Sequence, residues 1–328
     1  MNEKILAAIV TYGDVERFNN LKLGLERLNS IKLIDKIVII DNGSSYNVQN
    51  MISNLQIETP VDYYHNSKNE GSAGGFGQVF EIGRQEQNYT RLLILDDDSL
   101  LGEDALEKIF KFEQDNNIDG EYIWSLFRPV KYPNEFKKNW DWNEKYLNNR
   151  VIGISIQQQL FGKSQRKYRK NKKLAEPLYA PYAGMVISKK IVDSGHRPNK
   201  EYYLYVDDID YSIQLRKSKI NILQIEEAVL EDLEGSWGEK RHYMQSYFES
   251  SGNEFRYLFN VRNWIFMIKN RGYIKSNTIF KLNLLLYKII ALIIMPKNKK
   301  SILKYKRLRA AIYDGLSGNM GYRSDYFD

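Results

Sequence analysis

Short, wholly apolar runs alternate with stretches in which apolar residues recur every three or four positions through the first two-thirds of the chain. Residues 5–10 (ILAAIV), 37–40 (IVII) and 92–95 (LLIL) predict buried strands, with a third, shorter strand at 61–64. Between the first two, Phe18, Leu21, Leu25 and Leu28 recur with the helical period and predict a helix over 15–28. A second helix is predicted over 74–87, behind the glycine-rich stretch 69–77. Continuous apolar strands separated by helices predict an α/β fold with a mainly parallel sheet covered on both faces. In such sheets ligands bind beyond the carboxyl ends of the strands. Thr11-Tyr12, Asp41-Asn42, His65-Asn66 and Asp96-Asp97-Asp98 all fall at those ends.

Farther along, residues 131–175 are polar, aromatic and basic without a clear period, which predicts an insertion or mobile loop over the active site. Apolar patterning returns at 178–187 and 220–230, with Asp207-Asp208-Ile209-Asp210 opening a helix between them. The chain then turns helical to its end. The expected division is a catalytic domain over 1–240, with 131–178 as its insertion, and a helical region over 241–328.

Composition narrows the chemistry. The 328 residues contain no cysteine, which excludes disulfides, thiol nucleophiles and thiolate metal sites and fits a reducing compartment. Residues 1–11 lack the basic start and cleavage site of a signal peptide, so a cytoplasmic location is expected. The net charge of +7 is uneven: twelve Lys or Arg and no acid lie between residues 269 and 309, and seven basic residues lie within 163–173. Residues 280–295 are strongly apolar but carry Lys281, Asn283 and Lys288. Sixteen residues fall short of the ~20 needed to span a bilayer. An apolar helix beside a basic one instead predicts peripheral attachment to the anionic inner face of a membrane. A packed helical hairpin, with or without a contact to a second copy, is the alternative.

Asp96 and Asp98 follow an extended run, and alternate residues of such a run point the same way, so both can face one hard divalent cation, Mn²⁺ or Mg²⁺. A solvated acidic turn before a helix is the bland alternative. The stretch Asn69-Glu70-Gly71-Ser72-Ala73-Gly74-Gly75-Phe76-Gly77 can bring backbone N–H groups to phosphate, or can serve tight helix–sheet packing. No Lys-Ser/Thr pair follows it, so it is not a Walker loop. Asp207, Asp208 and Asp210 crowd like charges, which suits a carboxylate base; capping of a helix, with Asp210 solvated, is the alternative. A nucleotidyltransferase would carry its glycine-rich loop directly after the first strand, where Thr11-Tyr12-Gly13-Asp14 stands. A nucleic-acid binder is opposed by the acids at the strand ends, so no nucleic acid is expected as partner.

Taken in order, Val10-Thr11-Tyr12, Asp41-Asn42-Gly43-Ser44, Asn69…Gly71…Gly74-Gly75-Phe76, Asp96-Asp97-Asp98 and Asp207-Asp208 resemble inverting family 2 glycosyltransferases of the GT-A fold, over roughly residues 4–270. The glycine-rich stretch and Tyr257…Arg262-Asn263 look most like the branch of bacterial galactofuranosyltransferases and rhamnosyltransferases. The resemblance implies a nucleotide-diphosphate sugar donor, UDP-linked first, and a glycan acceptor carried on a lipid. It implies that Thr11, Tyr12, Asp41, Asn69, Gly74, Gly75 and Asp97 face the donor. It further implies that Asp96 and Asp98 hold the metal, and that Asp208, with Asp207 beside it, is the base. Relatives carry a histidine ligand after the strand equivalent to 228–230, where this chain has Glu231-Asp232-Leu233-Glu234. Asp232 fits the spacing and His242 is the other candidate. Trp237 and Arg262 are expected on the acceptor side.

Overall fold

The computed structural model describes residues 3–234, 243–249 and 254–327. Its strands are β1 (Ile5–Thr11), β2 (Ile34–Asp41), β3 (Val61–His65), β4 (Arg91–Asp96), β5 (Ser99–Leu101), β6 (Tyr122–Ser125), β7 (Trp140–Trp142), β8 (Arg166–Tyr168), β9 (Leu174–Ala175), β10 (Met185–Ser188), β11 (Asn221–Ile225) and β12 (Leu230–Asp232). Its helices are α1 (Phe18–Ser30), α2 (Val48–Ser53), α3 (Gly71–Gln85), α4 (Ala105–Asn116), α5 (Ile156–Phe161), α6 (Lys189–Asp193), α7 (Asp207–Lys217), α8 (Tyr243–Glu249), α9 (Glu254–Asn270), α10 (Asn277–Ile294) and α11 (Lys299–Ser317). The chain forms two compact units. The first comprises Met1–Asp141, Arg169–Asn199 and Tyr211–Ser236; the second comprises Trp142–Tyr168, Lys200–Asp210 and Trp237–Asp328.

The first unit is built on an eight-stranded sheet of order β3-β2-β1-β4-β10-β6-β11-β9. Strands β3, β2, β1 and β4 are parallel, β10 runs antiparallel between β4 and β6, and β11 is parallel to β6. This is the mainly parallel α/β sheet that the apolar runs predict. It is buried on both faces, because alternate residues of one strand serve opposite layers. Ile5, Ala7 and Ile9 pack with Phe18, Leu21, Leu25 and Leu28 of α1 and with Leu106 and Ile109 of α4. Leu6, Ala8 and Val10 pack instead with Phe76, Val79 and Phe80 of α3 and with Ile191 and Tyr211. Each such side chain contributes about 1.5–3 kcal/mol on burial. The four α1 residues picked out by period are all buried. The helix itself starts later than residue 15, after a 3₁₀ turn (Val15–Arg17) capped by the Asp14 carboxylate accepting from the Glu16 N–H at 3.1 Å.

The chain passes from β1 to β2 to β3 on one side, then crosses to β4 on the other side of β1. The order therefore reverses between β1 and β4, and a crevice forms at such a switch point. Val10 is opposite Asp96, Thr11 opposite Asp41, and Asp41 opposite His65. The register thus lines up the polar ends of four strands.

The second unit is mainly helical. Tyr257, Leu258, Val261, Ile265 and Ile268 of α9 are buried, and Gly315 of α11 leaves no room for a side chain, since a Cβ there would press on the Arg262 backbone and lie 3.1 Å from the Ile265 Cβ. Helix α11 ends at Gly318, whose φ of +80° suits a residue without Cβ. Helix α10 begins at Asn277, earlier than the apolar run at 280–295 suggests, because Ser276 caps it by accepting from the Ile279 N–H at 3.3 Å. Within the stretch 131–178, Leu147, Asn149, Arg150 and Val151 are buried in this unit.

Candidate active site

At the β1–β4 edge, the Asp96-Asp97-Asp98 run leaves the strand at Asp96 and enters a turn at Asp97 and Asp98. The extended alternation expected for these three residues therefore stops at Asp96. Asp97 turns inward and is buried. Its carboxylate accepts from the Thr11 hydroxyl at 2.7 Å, from the Tyr12 N–H at 3.4 Å and from Arg17 Nε at 3.1 Å, and Arg17 Nη2 pairs with its other oxygen. Asp97 was expected on the donor; instead it ties β1 to β4, because an arginine in the β1–α1 connection neutralises it. Arg17 also reaches Glu234 at 3.0 Å and lies 3.8 Å from Asp98. Its guanidinium is held well above the ordinary range, chiefly by the hydrogen bond to Asp97. Tyr12, by contrast, is 49% exposed at the edge.

Asp96 and Asp98 are left with little compensation. Burial first, then the Asp98 charge, pushes the Asp96 carboxyl up to about 7. Burial, then Asp97, raises Asp98 as well. Arg128 opposes both shifts. Two adjacent, partly desolvated carboxylates at a strand end fit a hard divalent cation, which commonly takes one or two carboxylates and completes its shell with phosphate oxygens and water. Among the described residues, no group of three or more His, Asp or Glu stands close enough to hold a metal. Asp232, expected as the third ligand, lies beside this pair: β12 runs against β5, and the Leu233 N–H donates to the Asp98 carbonyl at 2.8 Å. However, its carboxylate is buried and engaged by Arg128, with Nε–Oδ2 at 2.9 Å and Nη2 on the other oxygen. A carboxylate held twice by arginine is a poor metal ligand until that pair opens. His242 lies outside the described residues.

Along the same edge Asp41 is buried and accepts from the Ser44 N–H at 2.8 Å, the Tyr63 hydroxyl at 2.7 Å and His65 Nδ1 at 3.0 Å. Burial works to raise its carboxyl, yet these bonds together hold it below the ordinary carboxylate range. Asn42, to which sequence reasoning assigned no role, organises the next loop. Its amide donates to the Gly71 carbonyl at 3.0 Å and toward Asn69 Oδ1 at 3.3 Å, and its oxygen accepts from Asn66 Nδ2 and the Glu70 N–H. Asn69 in turn accepts from the Gly71 N–H at 2.7 Å.

The glycine-rich stretch itself is shorter as a loop than expected. Helix α3 starts at Gly71, so Gly74 and Gly75 are buried within its first turns. A Cβ on Gly75 would lie 2.8 Å from Val10 Cγ1 and 3.3 Å from Asn42 Nδ2. Close helix–sheet packing accounts for this glycine, and the expected phosphate contact at 74–75 is not what its surroundings impose. Gly71, with φ of +73°, is the position that needs a left-handed backbone, and it lies at the helix start where anions are favoured.

In the second unit, Asp207 and Asp208 begin α7. Asp207 is buried and Asp208 half-buried. Asp210, which the capping alternative left solvated, is fully buried and held by Arg271 through two bonds of 2.6 Å. The like-charge crowding expected among the three acids is therefore relieved at Asp210. The preceding loop is strained: Tyr203, Tyr205 and Val206 have φ of +61°, +67° and +69°. For a β-branched residue such as Val206 this backbone is costly and persists only when its surroundings enforce it. Asn263 enforces it: its amide donates to the carbonyls of Tyr202, Leu204 and Tyr205 at 2.9, 2.7 and 2.9 Å. Arg262, expected to touch the acceptor, is 0% exposed. It donates to Asn263 Oδ1, the Tyr202 carbonyl and the Gly321 carbonyl, so it fastens the loop and cannot reach an acceptor. Trp237 lies outside the described residues.

The first unit is a parallel sheet with its polar residues at a switch point. The chain belongs to glycosyl transferase family 2, whose sequence profile matches residues 7–193. It has the GT-A fold of that family. Among solved structures it is similar to the mannosyltransferase PcManGT from Pyrobaculum calidifontis, in complex with GDP-Man and Mn²⁺, with 10% identity over 95% of this chain and 87% of that one, and a TM-score of 0.51. It is also similar to TarS 1-349 of S. aureus in complex with UDP, with 12% identity over 96% of this chain and 92% of that one, and a TM-score of 0.49. At such identities the likeness shows the fold alone. Among curated proteins none matches the chain by sequence.

Proposed function

We propose that this glycosyltransferase is metal-dependent and inverting, and that it moves a sugar from a nucleoside-diphosphate donor to a lipid-linked glycan. The observation that carries the reading is the pair Asp96 and Asp98, two raised carboxylates at the reversal point of a parallel sheet. The donor's diphosphate belongs at that edge, with its nucleoside towards Thr11, Tyr12 and Asp41. The PcManGT complex pairs a nucleoside diphosphate sugar with Mn²⁺, the combination proposed here. When bound by Asp96 and Asp98, Mn²⁺ or Mg²⁺ supplies charge neutralisation to the diphosphate as a leaving group.

Asp208 is the proposed base. It takes the proton of an acceptor hydroxyl as that oxygen bonds to the anomeric carbon, and the carbon–oxygen bond to the diphosphate breaks on the opposite face. The configuration inverts, and the nucleoside diphosphate leaves with the electron pair of the broken bond. UDP-galactofuranose is the first donor to test and dTDP-rhamnose the next, following the motifs shared with that branch. The experiment is a transfer assay over a panel of nucleotide sugars with Mn²⁺. Asp98→Ala is expected to lower turnover on the order of 10³-fold with the fold retained. Turnover at the wild-type rate in that variant contradicts the reading.

A further inference from the structure

Helix α10 carries two apolar stripes, and among the described residues only one of them is covered. Phe280, Leu284, Tyr287 and Ala291 recur at helical spacing and are buried with Asn283 in the second unit. The other stripe, Leu282, Leu285, Ile289, Leu292 and Ile293, is exposed, and Ile293 retains 76% of its surface. The start of helix α11 also exposes Ile302 and Leu303, each about half exposed. Large aliphatic side chains clustered in this way mark an interaction surface.

The charges around the patch indicate what it meets. Residues 255–313 contain no acidic residue. Lys281, Lys297, Lys299, Lys300 and Lys306 are exposed beside the apolar stripe. Lys304 is the exception: it is buried, donates to the Tyr247 and Phe248 carbonyls and pairs with Glu254. A second copy of the chain placed face to face here would set lysine against lysine with no acid to offset them. A bilayer with anionic headgroups offers acyl chains to the leucines and isoleucines and phosphates to the lysines, and both halves of the surface are then used.

We propose that α10 and the first turn of α11 form an in-plane docking surface for an anionic lipid bilayer. Helix α10 is apolar enough to cross a membrane by length and composition, with a mean hydropathy of 1.6 over its 18 residues. It is nevertheless fastened along its buried side. Asn283 donates to the Asn149 carbonyl at 2.8 Å and accepts from the Ile156 N–H at 3.0 Å, and the hydroxyls of Tyr287 and Tyr257 are 2.7 Å apart. Crossing would break these buried bonds, which length and composition alone do not weigh. The helix lies flat instead, with its outer stripe in the headgroup–acyl boundary. This surface stands apart from the transferase reading, since its test measures lipid binding and no turnover.

The test is flotation of the full chain with vesicles of phosphatidylcholine alone or mixed with phosphatidylglycerol. Binding is expected only to the mixed vesicles, to weaken with added salt, and to be released by an alkaline carbonate wash. Replacing Leu292 and Ile293 with Glu removes binding while leaving the melting temperature unchanged, because both side chains already face solvent. Lys297→Glu, Lys299→Glu and Lys300→Glu together lower apparent affinity on the order of 100-fold or more. Wild-type binding by either variant overturns the proposal, as does equal binding to neutral vesicles. Resistance to carbonate overturns it in favour of a spanning helix. A dimer in the absence of lipid that the Leu292/Ile293 variant dissolves overturns it in favour of a second copy.

Discussion

The two acidic clusters, Asp96-Asp97-Asp98 and Asp207-Asp208-Ile209-Asp210, look alike in sequence, and the fold treats them alike in one respect. Each contains one acid that is buried and neutralised by an arginine: Asp97 by Arg17, and Asp210 by Arg271. That acid is structural. The clusters differ in what holds them. The first rests on the register of a parallel sheet, whose strands end in line without strain. The second rests on a loop with three left-handed non-glycine residues, kept in place by the side chains of Asn263 and Arg262. The proposed metal pair would rest on a sheet edge and the turn that follows it, whereas the aim of the proposed base would depend on enforced backbone.

Breaking the second cluster at its proposed base gives the largest effect expected from that comparison. Asp208→Asn should lower kcat about 10²–10⁴-fold with donor affinity unchanged, the range for loss of a general base. An unchanged kcat removes Asp208 from the reaction. Next comes the clamp. Asn263→Ala takes the amide donor from the Leu204 and Tyr205 carbonyls, while Tyr202 keeps Arg262, and is expected to destabilise the protein by roughly 3 kcal/mol. Because the loop it releases leads into Asp207 and Asp208, kcat should fall while the donor KM stays. A lower melting temperature with kcat intact would make Asn263 purely structural. The smallest effect is at the first cluster's neighbour. Gly75→Ala forces a methyl group against Val10 and should cost about 1–3 kcal/mol by overpacking. Weaker UDP binding at unchanged stability would instead restore a phosphate contact to this glycine.

The parallel sheet was legible because buried strands must read as unbroken apolar runs, and residues 5–10, 37–40 and 92–95 do. The polar strand ends followed from the same reading. What lay beyond it were partners distant in sequence. Arg17 is a lone arginine in a turn, and nothing local announces that it neutralises Asp97 eighty residues away. Arg128 and Asp232 are 104 residues apart, so spacing alone made Asp232 look like a free ligand. Arg262 and Asn263 were noticed as a motif, but a motif does not say whether a guanidinium faces a cavity or three carbonyls. Gly74 and Gly75 show the same limit: a glycine needed for packing and one needed for phosphate are the same letter, and only the neighbours, Glu70 beside Gly74 and Val10 beside Gly75, tell them apart.

Calorimetric titration of UDP into the protein, with and without Mn²⁺, tests most directly whether Asp96 and Asp98 together hold the ion that binds the donor diphosphate. Binding is expected only with the metal present, and Asp96→Asn or Asp98→Asn should abolish it while the protein still melts cooperatively. Equal UDP affinity in metal-free wild type, or in either variant with Mn²⁺, would contradict the account.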